Sequence, residues 1–95
     1  RRIPAAEAHR IGLVNEVAPE GKALQRAREV ASEIAANGPV AVRAAKRAID
    51  GGFELPIEEG LALEGRCYEE TIPTKDRLEA LAAFREKRKP VFRGE

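Results

Sequence analysis

The hydrophobic residues of this chain recur mostly every three or four positions, the spacing that places them on one face of an α-helix. The longest stretch with this pattern runs from Lys22 to about Asn37. Its apolar face is formed by Leu24, Ala27, Val30, Ala31 and Ile34. Gly38 and Pro39 follow, so a glycine cap is expected to end this helix and a first-turn proline to begin the next.

The second long helix is predicted from Pro39 to about Asp50, with Gly51 and Gly52 ending it. Its apolar positions are small, which would let a neighbouring helix approach closely. The predicted buried stripe consists of Ala41, Ala45, Ala48 and Ile49.

A third helix is predicted from Pro56 through Glu70, and it has two apolar faces. At 100° per residue, Ile57, Leu61 and Tyr68 lie on one side. Leu63 and Cys67 fall roughly opposite. A helix that is apolar on two sides is expected to contact two bodies, and the second body is interpreted as another subunit or another part of the protein.

The last predicted helix begins after Thr74, which is suited to be its N-cap, with Asp76 in the first turn where the helix dipole favours an acid. It should fray near Lys89 and Pro90. Its apolar residues are Leu78, Leu81, Ala82 and Phe84.

The N-terminal segment combines a short predicted helix, from Pro4 to Ile11 with Gly12 as its stop, and a predicted strand from Leu13 to Val17. No later segment resembles a partner strand. Because a lone strand leaves its backbone groups unpaired, we expect this segment to belong to the edge of a sheet that lies upstream. The absence of any methionine also favours a piece of a larger protein.

Composition narrows the class of protein. A length of 95 residues with 43% hydrophobic and 35% charged content suits one compact domain or part of one. A net charge of +1 gives no general attraction to nucleic acid. No apolar stretch approaches the ~20 residues of a membrane span. The single cysteine, Cys67, has no zinc-ligand spacing, so we expect a buried free thiol, a reducing compartment and no metal site.

The candidates for chemistry are few. Adjacent glutamates on a helix point about 100° apart, so Glu58-Glu59 and Glu69-Glu70 are interpreted as solvated charges rather than an acid/base pair. His9 lacks a catalytic arrangement and Cys67 lacks a nearby histidine. A basic run near the end could bind phosphates, or could be a charge cluster favoured by the helix dipole. It contains Arg85, Lys87, Arg88, Lys89 and Arg93.

Three strings of the chain are similar to a known family. They read RIPAAEA followed by IGLVNEV, GPVA followed by AK, and CYEETIPTKDRLE followed by AFREKR. They resemble the C-terminal part of the enoyl-CoA hydratase/isomerase, or crotonase, family. The last string is most similar to the branch of methylglutaconyl-CoA hydratases and AU-RNA-binding hydratases.

The resemblance implies a mainly α fold: residues 1–19 would end the crotonase core with a short helix and strand, and residues 20–95 would form the C-terminal helical region for oligomerisation and for capping CoA. The parent would be an enoyl-CoA hydratase, a lyase of fatty acid metabolism or leucine degradation, with 3-methylglutaconyl-CoA as one candidate substrate. Its two catalytic glutamates and its oxyanion hole would lie upstream, which leaves no catalytic residue in this chain and predicts that the fragment alone is inactive.

The same resemblance places Tyr68 at an aromatic position near bound CoA, where some relatives have phenylalanine, and Lys87 at a basic position that reaches the CoA phosphates. Acyl-CoA would be the substrate carrier, with no further cofactor. The partners would be the upstream part of the enzyme and further copies in a trimer or hexamer. The compartment would be the cytoplasm in a bacterium or the mitochondrial matrix in a eukaryote.

The alternative functions are another crotonase-type isomerase or dehydratase, a helical interaction module, or an RNA-binding module. The chain lacks the stacked aromatic residues that single-stranded RNA binding requires.

Overall fold

The computed structural model describes all 95 residues, with five α-helices and no β-strand, which confirms the mainly α class. The chain divides into two compact units, Arg1–Glu33 and Ile34–Glu95. The predicted division between residues 1–19 and 20–95 concerns a larger enzyme and stays a prediction. The helices are α1 Ala5–Arg10, α2 Ala23–Ala35, α3 Pro39–Gly52, α4 Ile57–Glu69 and α5 Lys75–Glu86. None of them is long and apolar enough to cross a lipid bilayer.

In the first unit, α1 ends as predicted, because Gly12 adopts the left-handed conformation at φ 77°. The predicted strand from Leu13 to Val17 is wrong, because residues 13–15 form bends and residues 16 and 17 have no regular structure. A strand needs a neighbour to pair its backbone. Without one, the N–H groups of Leu13 and Val14 turn back to the carbonyl of Ala8, at 2.8 and 3.4 Å.

Helix α2 has the predicted bounds to within two residues, and none of its residues is buried. Leu24 and Ile34, on its apolar face, are 64% and 51% exposed. Arg26 holds the helix to the preceding segment through Glu16, with Nε to Oε1 at 2.6 Å. Helix α2 therefore forms as its amphipathic pattern predicts, but its apolar face remains largely exposed.

In the second unit, α3 and α4 pack against each other as a helical hairpin. The two helices meet at Gly52 and Gly60, where a Cβ added at Gly60 would lie 3.7 Å from the Gly52 carbonyl oxygen, an ordinary van der Waals contact. The contact at Gly51 is tighter, because an added Cβ would lie only 2.7 Å from Leu63 Cδ2 and the leucine would have to shift. Gly51 and Gly52 are the last two residues of α3 rather than residues after it, so their predicted role as a helix stop is wrong.

The buried side of α3 also differs from the prediction. Ala44 is 2% exposed, whereas Ile49, in the predicted stripe, is 68% exposed. That stripe lines an open apolar groove with α4, whose walls include Ala45, Ala48, Ile49, Phe53, Ile57 and Leu61. The apolar periodicity of α3 correctly predicted an apolar face. It did not predict which of the two apolar faces of α3 packs against α4.

The two-faced pattern of α4 is confirmed. Cys67 is 5% exposed and Leu63 is half-buried, whereas Ile57, Leu61 and Tyr68 on the other side are exposed. Cys67 is the predicted buried free thiol. One face of α4 therefore packs within the chain, and the other is uncovered.

Helix α5 begins as predicted, because the Thr74 hydroxyl oxygen accepts a hydrogen bond from the Arg77 N–H at 3.2 Å. Its large apolar residues are exposed, and Phe84 is 87% exposed. Across the whole chain no large side chain is fully buried. The buried hydrophobic residues are Ala8, Ala44, Cys67 and Ala83. The helices are thus well formed while most of their apolar surface remains uncovered.

Candidate functional site

Tyr68 lies in the last turn of α4, on the uncovered apolar side of that helix. Its backbone is held firmly, because the Tyr68 carbonyl accepts the Thr71 N–H at 2.9 Å and the Thr71 hydroxyl at 2.7 Å. The side chain itself is 61% exposed. A fixed backbone with an exposed ring suits contact with a ligand or with another surface.

Lys87 follows α5 directly and adopts the left-handed conformation, with φ 55° and ψ 41°. Two hydrogen bonds close this helix end: Lys87 N–H to the Phe84 carbonyl at 3.3 Å and Arg88 N–H to the Ala83 carbonyl at 3.0 Å. This is the Schellman arrangement, in which the left-handed position is usually glycine. A lysine there costs roughly 1 kcal/mol in backbone conformation.

The basic run is divided by its ion pairs. Arg88 forms ion pairs with Glu79 and with Glu86, the latter with Nε to Oε2 at 2.6 Å. Lys87 and Lys89 make no ion pair. The structure therefore separates Arg88, which has a structural role, from Lys87, whose ammonium group remains available to an anion.

Tyr68 and Lys87 do not line the three grooves along α3, α4 and α5. Both residues are exposed in the second unit, Tyr68 in the last turn of α4 and Lys87 directly after α5.

The carboxylates weighed as acid/base candidates are not arranged as a pair. Glu70 is hydrogen-bonded to Arg47, which lowers its pKa below the ordinary value of 4.5. A carboxylate kept ionised in this way is a poor proton donor. Glu58, Glu59 and Glu69 are exposed on α4.

Sequence reasoning missed the two acids that organise the end of the chain, Asp76 and Glu79. Asp76 is 6% exposed. Both of its carboxylate oxygens accept backbone N–H groups of the last residues, and one turn later Glu79 accepts the Val91 N–H and the Arg88 guanidinium. The available signal was a pair of acids three residues apart on a helix followed by a short tail, a pattern too common to identify these contacts.

The pKa of Glu79 falls to about 2, because Arg88 and then the Val91 N–H donate hydrogen bonds to its carboxylate. The folded pKa lies below the ordinary 4.5, so this carboxylate stabilises the fold above about pH 4.5, and the contribution is lost as pH falls toward 2. In denaturant unfolding, the Glu79→Gln variant should therefore be less stable than wild type above pH 4.5, and the difference should shrink between pH 4.5 and 2. A difference that stays constant with pH would show that the charge of Glu79 is irrelevant.

Comparison with known proteins identifies the family to which the chain belongs. The family model for enoyl-CoA hydratase/isomerase matches residues 1–95. The chain therefore belongs to the enoyl-CoA hydratase/isomerase family.

Individual relatives agree with this assignment and with the resemblance found in the sequence. The chain is 52% identical to the human mitochondrial enoyl-CoA hydratase domain-containing protein 2, over 99% of the chain and 34% of that protein. It is 46% identical to the human mitochondrial methylglutaconyl-CoA hydratase, over 100% of the chain and 29% of that protein. The structure of an enoyl-CoA hydratase from Bacillus anthracis superposes with a TM-score of 0.96 at 50% identity, covering 100% of the chain and 37% of that structure. The chain thus spans about a third of the length of these relatives.

Proposed function

We propose that this chain is the C-terminal helical region of an enoyl-CoA hydratase, where it supplies surface for subunit assembly and part of the CoA pocket. The observation that carries the proposal is the match of the entire chain, at a TM-score of 0.96, to 37% of a bacterial enoyl-CoA hydratase structure. The remaining part of such an enzyme would provide the surfaces that this chain lacks.

The assembly role is supported by the uncovered apolar faces. Burying one large apolar side chain contributes roughly 1.5–3 kcal/mol. Covering six of them would contribute on the order of 10 kcal/mol, comparable with the ~5–15 kcal/mol net stability of a domain. Six that are at least half exposed are Ile49, Phe53, Ile57, Leu61, Leu78 and Phe84. We propose that the upstream part of the enzyme and neighbouring subunits, in a trimer or hexamer, cover these faces.

The CoA role is assigned to Tyr68 and Lys87. The Tyr68 ring is exposed on the same face of α4 as Ile57 and Leu61 and could pack against the adenine or pantetheine part of CoA. The unpaired ammonium of Lys87 could bind a CoA phosphate. Both side chains are exposed, and we propose that other parts of the enzyme complete the pocket around them.

The chemistry itself would take place on residues outside this chain. Hydration adds the oxygen of water to C3 of a 2-enoyl-CoA and a proton to C2. It needs carboxyl groups for proton transfer and two N–H donors for the thioester enolate. Two glutamates of the upstream region would serve as the acid and base. Acyl-CoA carries the substrate and no further cofactor is required.

Two rival functions are weaker. An RNA-binding module would rest on the basic run, in which Arg88 is already engaged by Glu79 and Glu86. A non-enzymatic helical interaction module could use the same apolar faces, but the family match along residues 1–95 favours the enzyme. Isomerase and dehydratase relatives would differ in the upstream carboxylates. Cytoplasm in a bacterium or the mitochondrial matrix in a eukaryote is the proposed location.

The experiment uses the full-length protein, meaning this chain together with the upstream part that its relatives possess. We expect it to hydrate crotonyl-CoA and 3-methylglutaconyl-CoA, measured as loss of the enoyl thioester absorbance and confirmed by mass spectrometry of the hydroxyacyl product. A higher kcat/KM for 3-methylglutaconyl-CoA would assign it as the substrate. Absence of a hydrated product from either compound would contradict the hydratase assignment.

A further inference from the structure

The last eight residues form a C-terminal strap (residues 88–95) that runs back along α5 from its end to its first turn. Beside Glu79, the Val91 N–H donates to Oε1 at 3.0 Å. Beside Asp76, the Arg93 N–H donates to Oδ1 and the Gly94 N–H to Oδ2, each at 2.8 Å. The helix thus holds the strap at two points one turn apart.

Asp76 attaches the strap more completely than Glu79 does. Asp76 is 6% exposed, and each of its carboxylate oxygens accepts one backbone N–H. The Asp76 N–H in turn donates to the Glu95 carbonyl at 2.8 Å. That N–H is one of the donors that a helix start leaves without an internal partner. Strap and helix therefore satisfy each other's backbone groups.

The opposite side of the strap touches the start of α3. A Cβ added at Gly38 would lie 3.7 Å from Cδ1 of Phe92, and one added at Gly94 would lie 3.7 Å from Cγ of Pro39. Gly94 also adopts φ 77°, which permits the turn over Asp76. The strap therefore links the first turn of α5 to the first turn of α3.

This link matters because α5 has little direct contact with the other helices. The extensive helix pair of the unit is α3 with α4. Asp76 and Ala83 of α5 are buried, Glu79, Ala80 and Ala82 are half-buried, and the other residues of the helix are exposed. Within this chain, the position of α5, and of Lys87 at its end, thus depends on the strap more than on contacts with α3 and α4.

We propose that Asp76 is a positioning residue: by anchoring the strap it fixes α5 and holds Lys87 in place for its ligand. The ligand part rests on the proposed function, in which Lys87 binds a CoA phosphate. The anchoring part rests on the hydrogen bonds alone.

Asp76→Asn tests the anchor with a side chain of the same shape. The asparagine keeps one acceptor oxygen, but its NH₂ group would meet the second backbone N–H, donor against donor. In the full-length protein we expect hydrogen exchange at the amides of Arg93 and Gly94 to accelerate about 10-fold or more, as for loss of a hydrogen bond to a charged group. We also expect KM for crotonyl-CoA to rise severalfold with kcat within about twofold, a split that differs from general unfolding. Asp50→Asn is the matched control, because Asp50 is exposed and pairs only with Lys46.

The outcomes separate the two parts of the proposal. Unchanged exchange at Arg93 and Gly94 in Asp76→Asn would overturn the anchor. Faster exchange with an unchanged KM would overturn the positioning of Lys87. If Lys87→Glu itself leaves KM unchanged, the CoA site of the proposed function fails while the exchange result still tests the anchor. Should Asp76→Asn fail to fold, truncation after Phe92 removes both donors, leaves α5 intact, and is expected to raise KM in the same way.

Discussion

The isolated 95-residue chain is expected to produce no hydrated product from crotonyl-CoA or 3-methylglutaconyl-CoA. Hydration needs two carboxyl groups that converge on the double bond and two N–H donors that meet the enolate oxygen. Glu58 and Glu59 are neighbours on α4 and diverge by about 100°. Glu70 is engaged by Arg47, which keeps it ionised. Product formation with the isolated chain should therefore stay at the uncatalysed rate measured in buffer, while the full-length protein should catalyse hydration.

The assay must distinguish a folded chain that lacks catalytic residues from a chain that has not folded. Circular dichroism of the isolated chain should first establish that its helices are formed, and the full-length protein at the same molar concentration gives the positive signal. The matched variant changes Glu58, Glu59, Glu69 and Glu70 to glutamine together. Turnover by the wild-type chain that this variant loses would contradict the proposal and move the catalytic carboxylates into these helices.

Local sequence patterns predicted the helices well because the causes of helix formation are local. Apolar spacing located α2 and α4 to within two residues, and the cap by Thr74 is confirmed by its hydrogen bond to Arg77. The burial of Cys67 followed from its place on the apolar face opposite Tyr68. Each of these features is decided by residues within a few positions of one another.

The errors share a different cause, since each depends on contacts between distant segments. The strand at Leu13–Val17 was predicted from residue type, but strand formation requires a partner that this chain does not contain. Gly51 resembled a helix stop, whereas its role is to let Leu63 approach α3. The buried residue Ala44 was missed because α3 has apolar positions on more than one side, and only the packing of α4 selects among them.

The assignment of Tyr68 and Lys87 to a CoA site comes from the family resemblance and stays a prediction. The structure adds that their backbones are held by hydrogen bonds while their side chains are exposed. It also adds Asp76, whose contacts with residues 93 and 94 join positions far apart in sequence. An acid in the first turn of a helix is explained locally by the helix dipole, so nothing in the sequence required a second role for it.

Reversal of the charge at Lys87, the residue proposed to bind a CoA phosphate, should be the most damaging single change at the proposed CoA surface. In the full-length enzyme, Lys87→Glu should raise KM for crotonyl-CoA about 10- to 100-fold, since a hydrogen bond to a charged group contributes about 1.5–3 kcal/mol and each 1.4 kcal/mol is tenfold. The value of kcat should change little, because the phosphate lies far from the reacting double bond. Steady-state kinetics give both parameters, and native mass spectrometry should show the assembly unchanged.

Two variants distinguish a specific contact from the alternatives. Lys89→Glu makes the same change of net charge two residues away, so an equal loss of affinity in this variant would mean that Lys87 acts only through the general field of the basic run. Lys87→Gly removes the ammonium and relieves the left-handed backbone at φ 55°. Its stability should be unchanged or higher by up to about 1 kcal/mol, since glycine adopts this conformation without strain but gains freedom in the unfolded chain. Weaker binding of CoA together with undiminished stability would assign Lys87 to the ligand, whereas lower stability with unchanged binding would assign it to the fold.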